Sequence, residues 1–144
     1  MKTLFAFCAF FVLTPAFCQI WNENLEDALL KATAENKRVL LFFTVPDACE
    51  SCVALEENVL QSPEFGEFAS NFILARADFQ HTSLHPVTAE TKAKNLLIVE
   101  KYNKDGFFPL MVLLDKNGKV VGSRGTYNGE SPAEYVTNLK EALK

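Results

Sequence analysis

An unbroken apolar run, Val39-Leu40-Leu41-Phe42-Phe43, leads straight into Asp47-Ala48-Cys49-Glu50-Ser51-Cys52, where a helical pattern begins. No other stretch limits the fold as tightly. A run of strand length with no polar alternation belongs to a strand covered on both faces, as at the centre of a parallel or mixed sheet. The carboxyl end of such a strand is where sites collect in open α/β sheets. Cys49 then falls at a helix mouth, where unpaired backbone N–H groups and the positive end of the helix dipole favour the reactive thiolate. Two intervening residues place Cys52 one turn further in, close enough to form a small disulfide ring. The expected asymmetry is an exposed first sulfur and a more buried second, which suits a nucleophile and a resolving thiol.

The remaining elements order themselves around this junction. Residues 22–37 read as a helix with Leu25, Ala28, Leu29 and Ala32 on one face, and Trp21 just ahead of it is expected to pack on the core. The Cys-x-x-Cys helix should run over residues 50–60 with Cys52, Leu55 and Val59 inward. Ser62-Pro63-Glu64 is a helix start, with Ser as N-cap and Pro at the first helical position, followed by a core stripe of Phe65, Phe68, Ala69 and Phe72. Phe72–Asp78 is expected as a second strand, parallel to the first, and residues 79–87 as a loop holding His81 and His85. A helix over 88–102 is expected to turn Ala89, Ala93, Leu96 and Leu97 inward. Leu110–Leu114 forms a third buried strand, Asp115-Lys116-Asn117-Gly118 a tight turn, and 119–127 a returning edge strand. Ser131-Pro132-Ala133-Glu134 is a capping box opening a last helix on Val136, Leu139 and Leu143.

Residues 1–18 read as a secretory signal peptide: Lys2 supplies positive charge, Leu4 to Leu13 an apolar stretch, and Thr14-Pro15 a break before small residues. The apolar stretch is too short for a permanent membrane span. Cleavage is expected between Cys18 and Gln19, leaving one domain over 19–144 in the periplasm or secreted, with no stable membrane insertion. A lipoprotein anchored at Cys18 is the alternative, opposed by the bulk of Phe17. Of the 4 cysteines, Cys8 and Cys18 leave with the peptide, and losing Lys2 moves the formal charge from −4 to −5. An isolated Cys49/Cys52 pair in an oxidising compartment is a redox couple or a structural staple. Basic residues are not clustered, which argues against nucleic acid as a partner.

Helix, strand, two helices, strand, helix, hairpin, helix is an order that resembles the thioredoxin fold. The segments Phe43 to Cys52, Ser62-Pro63-Glu64-Phe65, Phe107-Phe108-Pro109 and Asp115-Lys116-Asn117-Gly118-Lys119 are similar to those of exported bacterial thioredoxin-like proteins. The resemblance covers nearly all of the chain after residue 20. It implies an α/β, thioredoxin-like three-layer sandwich with a four-stranded mixed sheet flanked by helices. It also implies thiol-disulfide exchange on protein or small-molecule disulfides, with Cys49 attacking and Cys52 resolving. Pro109 would be the cis-proline facing the disulfide, and Phe108, Pro109 and Ala48 would meet substrate. No cofactor or metal is implied. The expected partners are disulfide-containing or dithiol proteins and an upstream membrane thiol donor.

At three positions the chain differs from that family pattern. Ala48 stands where Trp is common, Phe42 or Phe43 where a buried acid precedes the motif, and Val53 where a basic residue often follows. Asp47 and Glu50 flank Cys49 and disfavour its thiolate, which points to a reductant. Two alternatives compete. Cys49/Cys52 with His81/His85 contain zinc-type pairs, although the 28 residues between them already hold a helix and a strand. A non-catalytic binding module, stapled by its disulfide and offering the apolar surface around Phe108, is the other. At Pro109, a trans bond at a strand entrance is the alternative to the cis bond that would turn the Phe108 backbone towards the cysteines. A classical hydrolase is poorly supported, with only two histidines, no nucleophile-elbow glycine pattern and no Gly-rich phosphate loop.

Overall fold

The computed structural model describes residues 19–79 and 87–144. The proposed leader at 1–18 and both histidines lie outside them. In chain order the elements are β1 (Trp21–Asn22), α1 (Leu25–Glu35), β2 (Arg38–Thr44), α2 (Glu50–Leu55), a π-helical continuation (Glu56–Leu60), α3 (Pro63–Ala69), β3 (Phe72–Asp78), α4 (Ala89–Tyr102), β4 (Leu110–Leu114), β5 (Val120–Gly125) and α5 (Pro132–Ala142).

The sheet has five strands, in the order β1-β3-β2-β4-β5, rather than the four expected. The addition is β1, which pairs parallel with β3 through Trp21 and Asn22. The first helix accordingly starts at Leu25, capped by the Asn24 side chain, not at residue 22. It stops at Glu35 because Asn36 takes a left-handed conformation, φ 51°, and returns its N–H to the last carbonyls. β2 and β3 are parallel and β4 runs antiparallel to β2, so the expected mixed sheet is present with β2 at its centre.

Alternation along the strands divides the core into two layers. Leu40, Phe42, Leu74, Met111 and Leu113 meet the side of the sheet covered by α2, α3 and α5. Val39, Leu41, Phe43, Ala75, Val112 and Leu114 meet α1 on the other side. Trp21 is half-buried, with its ring stacked on Phe65 at 6.5 Å and tilted on Phe42 at 5.9 Å. Phe65, Phe68 and Ala69 are buried in α3 as the stripe required. Phe72 belongs to β3 but keeps its ring 5.0 Å from that of Phe68.

The α4 face is a correction. Leu96 and Leu97 are 50% and 66% exposed, and Ala89 and Ala93 are exposed with them. The inward side is instead Asn95, with Ile98, Val99 and Tyr102 partly buried. Asn95 wins the central position because its amide donates to the Asp78 carbonyl, 3.0 Å, at the open end of β3. The edge strand is shorter than 119–127, and β5 leaves β4 at an irregularity beside Leu113 and Leu114. In the turn before it, Asp115 accepts the N–H groups of Asn117 and Lys119, each at 2.9 Å, and Gly118 supplies φ +77°.

Candidate functional site

Val45 and Pro46 carry the chain off the buried end of β2, and a turn closed by Ala48 and Cys49 N–H groups on the Val45 carbonyl aims it into α2. Cys49 is the N-cap of that helix. Its Sγ accepts the Cys52 N–H at 3.2 Å, and the Ser51 hydroxyl lies 3.4 Å away. On reduction, the same donors would stabilise negative charge on the sulfur. Cys49 and Cys52 are joined in a disulfide with Cα atoms 5.2 Å apart. Cys49 is half-buried and Cys52 has no exposed surface, so the expected asymmetry is present in the fold. Ala48 is exposed at the rim.

The Phe108–Pro109 peptide is cis. Its approach is held by Asn103, a buried residue whose side chain donates to the Phe107 carbonyl at 2.8 Å and accepts the Phe107 N–H at 2.9 Å. Gly106, at φ +68°, makes that tight return possible. Pro109 is buried and accepts the Thr126 N–H, 3.2 Å, so the segment after β5 is tied to it. Phe108 is half-buried, with its ring edge-on to Phe79 at 5.7 Å.

Together these segments enclose an open cleft of about 840 Å³. Ala48, Cys49, Glu50 and Ser51 form one wall, and Phe108 with Gly106 the opposite one. Tyr127 and Gly129 close the far side. Cys49, Ala48 and Phe108 are thus brought to one cleft, whereas Cys52 and Pro109 lie behind its surface. The far side is not marked by the hydrophobic pattern, in which residues 119–127 read as one edge strand. Its local signal is the Asn128-Gly129 pair, with Gly129 at φ +84°. Glu130 fixes this loop: it ion-pairs with Arg124, accepts the Asn128 N–H at 2.9 Å, and its carbonyl receives the Tyr127 hydroxyl at 3.0 Å.

A second polar cluster lies on the sheet face covered by the Cys-x-x-Cys helix. Arg76 in β3 makes a two-pronged pair with Glu56, at 3.0 and 3.3 Å, and reaches Asp78 at 2.8 Å. Glu56 stands four residues after Cys52 on the same helix. Burial pushes the Asp78 carboxyl above its usual range, against the opposing pull of Arg76. Thr44, the last residue of β2, buries its hydroxyl with no hydrogen-bond partner among the described residues.

Among the described residues, no group of three or more His, Cys, Asp or Glu side chains is placed to hold a metal ion. Among the described residues, no helix is long and apolar enough to cross a membrane.

A sheet of this order, with a Cys-x-x-Cys disulfide at the mouth of the helix after its central strand and a cis-proline before the next strand but one, defines a protein of thioredoxin type. The chain belongs to the thioredoxin-like family, whose model matches residues 20–116. It is 33% identical over 123 residues to the disulfide bond reductase DsbH of Chlamydia pneumoniae, covering 85% of this chain and 72% of that protein. A solved DsbH oxidoreductase superposes with a TM-score of 0.74 at 32% identity, covering 86% of this chain and 83% of that one. A thioredoxin from Thermus thermophilus shares the fold at a TM-score of 0.58, with 20% identity and 81% of each chain covered.

Proposed function

We propose that this protein is a thiol-disulfide oxidoreductase that acts as a reductant outside the cytoplasm, after removal of residues 1–18. One observation carries the reading: the Cys49–Cys52 pair sits with one sulfur at a cleft and the other fully enclosed. In the reduced form the Cys49 thiolate attacks one sulfur of a substrate disulfide. A mixed disulfide forms, and the substrate's other sulfur leaves as a thiolate that takes a proton. Cys52 then loses its proton and attacks Cys49 Sγ, which releases the second substrate thiol and restores the Cys49–Cys52 disulfide. Two electrons pass to the substrate, and a dithiol donor, expected to be membrane-held, reduces the pair again. Ala48 and Phe108 would form the surface against which the substrate segment lies, with the buried cis-Pro109 behind it fixing the backbone of Phe108.

The reducing direction rests on local charge. Asp47 and Glu50 flank Cys49 and oppose the hydrogen bonds that its sulfur receives, so the thiolate is less favoured and the disulfide form more so. The name of the related reductase agrees with that direction.

Insulin reduction with a dithiol donor tests the activity, and a Cys52→Ser variant should accumulate the mixed disulfide at Cys49. Phe42 in place of a strand acid and the exposed Ala48 favour a second reading, a binding module with a stapling disulfide. Absence of turnover with every dithiol donor, together with binding unaffected by Cys49→Ser, would establish that second reading.

A further inference from the structure

The charge around the cleft is one-sided. Between Val45 and Leu60 the chain carries Asp47, Glu50, Glu56 and Glu57 and no basic residue. Glu56 is neutralised by Arg76. Glu50 and Glu57 are exposed, and Glu50 lines the cleft beside Cys49 as its one charged wall residue among the described residues. Among the described residues, the loops opposite add no balancing positive charge: Lys104 is followed by Asp105, and Arg124 is ion-paired to Glu130. The uncharged part of the wall is apolar and aromatic at Val45, Ala54, Phe108 and Tyr127, and polar at Ser51 and Asn58.

Resting on the redox reading above, we infer that the cleft selects disulfides in cationic peptide segments, with lysine or arginine beside an apolar residue next to the reacting cysteine, and that Glu50 determines this specificity. A carboxylate at the rim attracts such a segment during encounter and in the mixed disulfide. It repels anionic disulfides by the same amount. Oxidised glutathione, which carries net negative charge at neutral pH, is therefore a poor substrate. The cleft is open to solvent, so the selection is an electrostatic preference that salt screens, not a steric exclusion.

The test uses the reduced protein and two cyclic disulfide peptides that differ only in flanking residues, lysine in one and glutamate in the other. Second-order rate constants for their reduction are measured at low and high salt. The ratio between peptides is the readout, because the intrinsic reactivity of Cys49 cancels in it. We expect the lysine peptide to react about tenfold faster or more at low ionic strength, with the ratio falling to about two in 0.5 M salt. Glu50→Lys should bring the low-salt ratio to one or below. Glu141→Lys, an equal charge change on the exposed surface of α5, should leave it in place. A ratio near one at low salt overturns the inference, as does a Glu141→Lys effect equal to that of Glu50→Lys. Reduction of neither peptide removes the redox reading and the inference with it. Equal reduction of both removes the inference alone.

Discussion

Phe42 and Arg76 are register partners on the adjacent strands β2 and β3, and the Arg76 guanidinium carbon stands 5.9 Å from the Phe42 ring centroid. The strand position near which thioredoxins carry a buried acid therefore holds an aromatic ring, and the charge on that face is arranged by its neighbour. Arg76 spans Glu56 and Asp78, whose side chains are 32% and 23% exposed, against 17% for its own.

Replacing Arg76 with Gln leaves two carboxylates facing each other without a cation. Breaking a fully buried pair costs several kcal/mol, and water reaches this one, so the expected loss is about 2 kcal/mol. Urea unfolding at neutral pH should show a lower midpoint with an unchanged slope.

The Glu130 carboxyl gives stability an acid limb. Burial opposes its ionisation, but the backbone N–H groups of Asn128 and of Glu130 itself, with Arg124, outweigh burial and hold the carboxyl below its ordinary value of 4.5. A carboxyl lowered by folding contributes stability that is complete above the unfolded value and is lost as pH falls through the folded one. Asp78, which is raised, has the opposite sign: its penalty is complete above its folded value and is relieved as pH falls through it. Glu130→Gln should therefore cost about 1–2 kcal/mol at pH 7, a difference from wild type that shrinks in acid. Thermal melts of both proteins across the acid range check this.

Gly122 in β5 lies under the end of α5. A Cβ there would stand 2.6 Å from the Ala142 carbonyl oxygen and 3.0 Å from Leu143 Cα, both backbone atoms that cannot swing aside. Gly122→Ala should lose about 1–3 kcal/mol and increase hydrogen exchange at the carboxyl end of α5.

Thr44 offers the reverse case. Its buried hydroxyl has no partner among the described residues, so Thr44→Val exchanges an unsatisfied polar atom for a methyl group of similar size. The expected result is a gain of about 1 kcal/mol, read from the denaturation midpoint.

Phe108 forms the apolar wall facing Cys49, with its ring braced edge-on by Phe79. Phe108→Ala should lower kcat/KM for a peptide disulfide about tenfold, on the scale of one large side chain's lost burial. The rate with dithiothreitol, too small to span the cleft, should change far less.

Residues close together in sequence were enough for much of the architecture. The strands Arg38–Thr44, Phe72–Asp78 and Leu110–Leu114 were legible because burial on both faces leaves apolar runs that need no knowledge of the partner strand. The caps at Ser62 and Ser131 were legible because the bond joins residues three apart, at 3.2 and 3.4 Å. The Cys49/Cys52 asymmetry follows likewise from helical spacing within one turn.

What the tertiary structure alone decided depends on residues far apart in the chain. β1 is a two-residue strand that exists only because β3 offers an edge. The α4 leucines face outward because Asn95 has a carbonyl on β3 to satisfy, and a polar residue at a buried position breaks the hydrophobic pattern from which a face is read. The far side of the cleft, from Tyr127 to Gly129, and the Arg76 pairs across to Glu56 are long-range relations of the same kind. The sequence by itself determined where the two sulfurs stand on their helix. Folding decided what faces them, because electrostatics and enclosure act through space between elements that local periodicity does not connect.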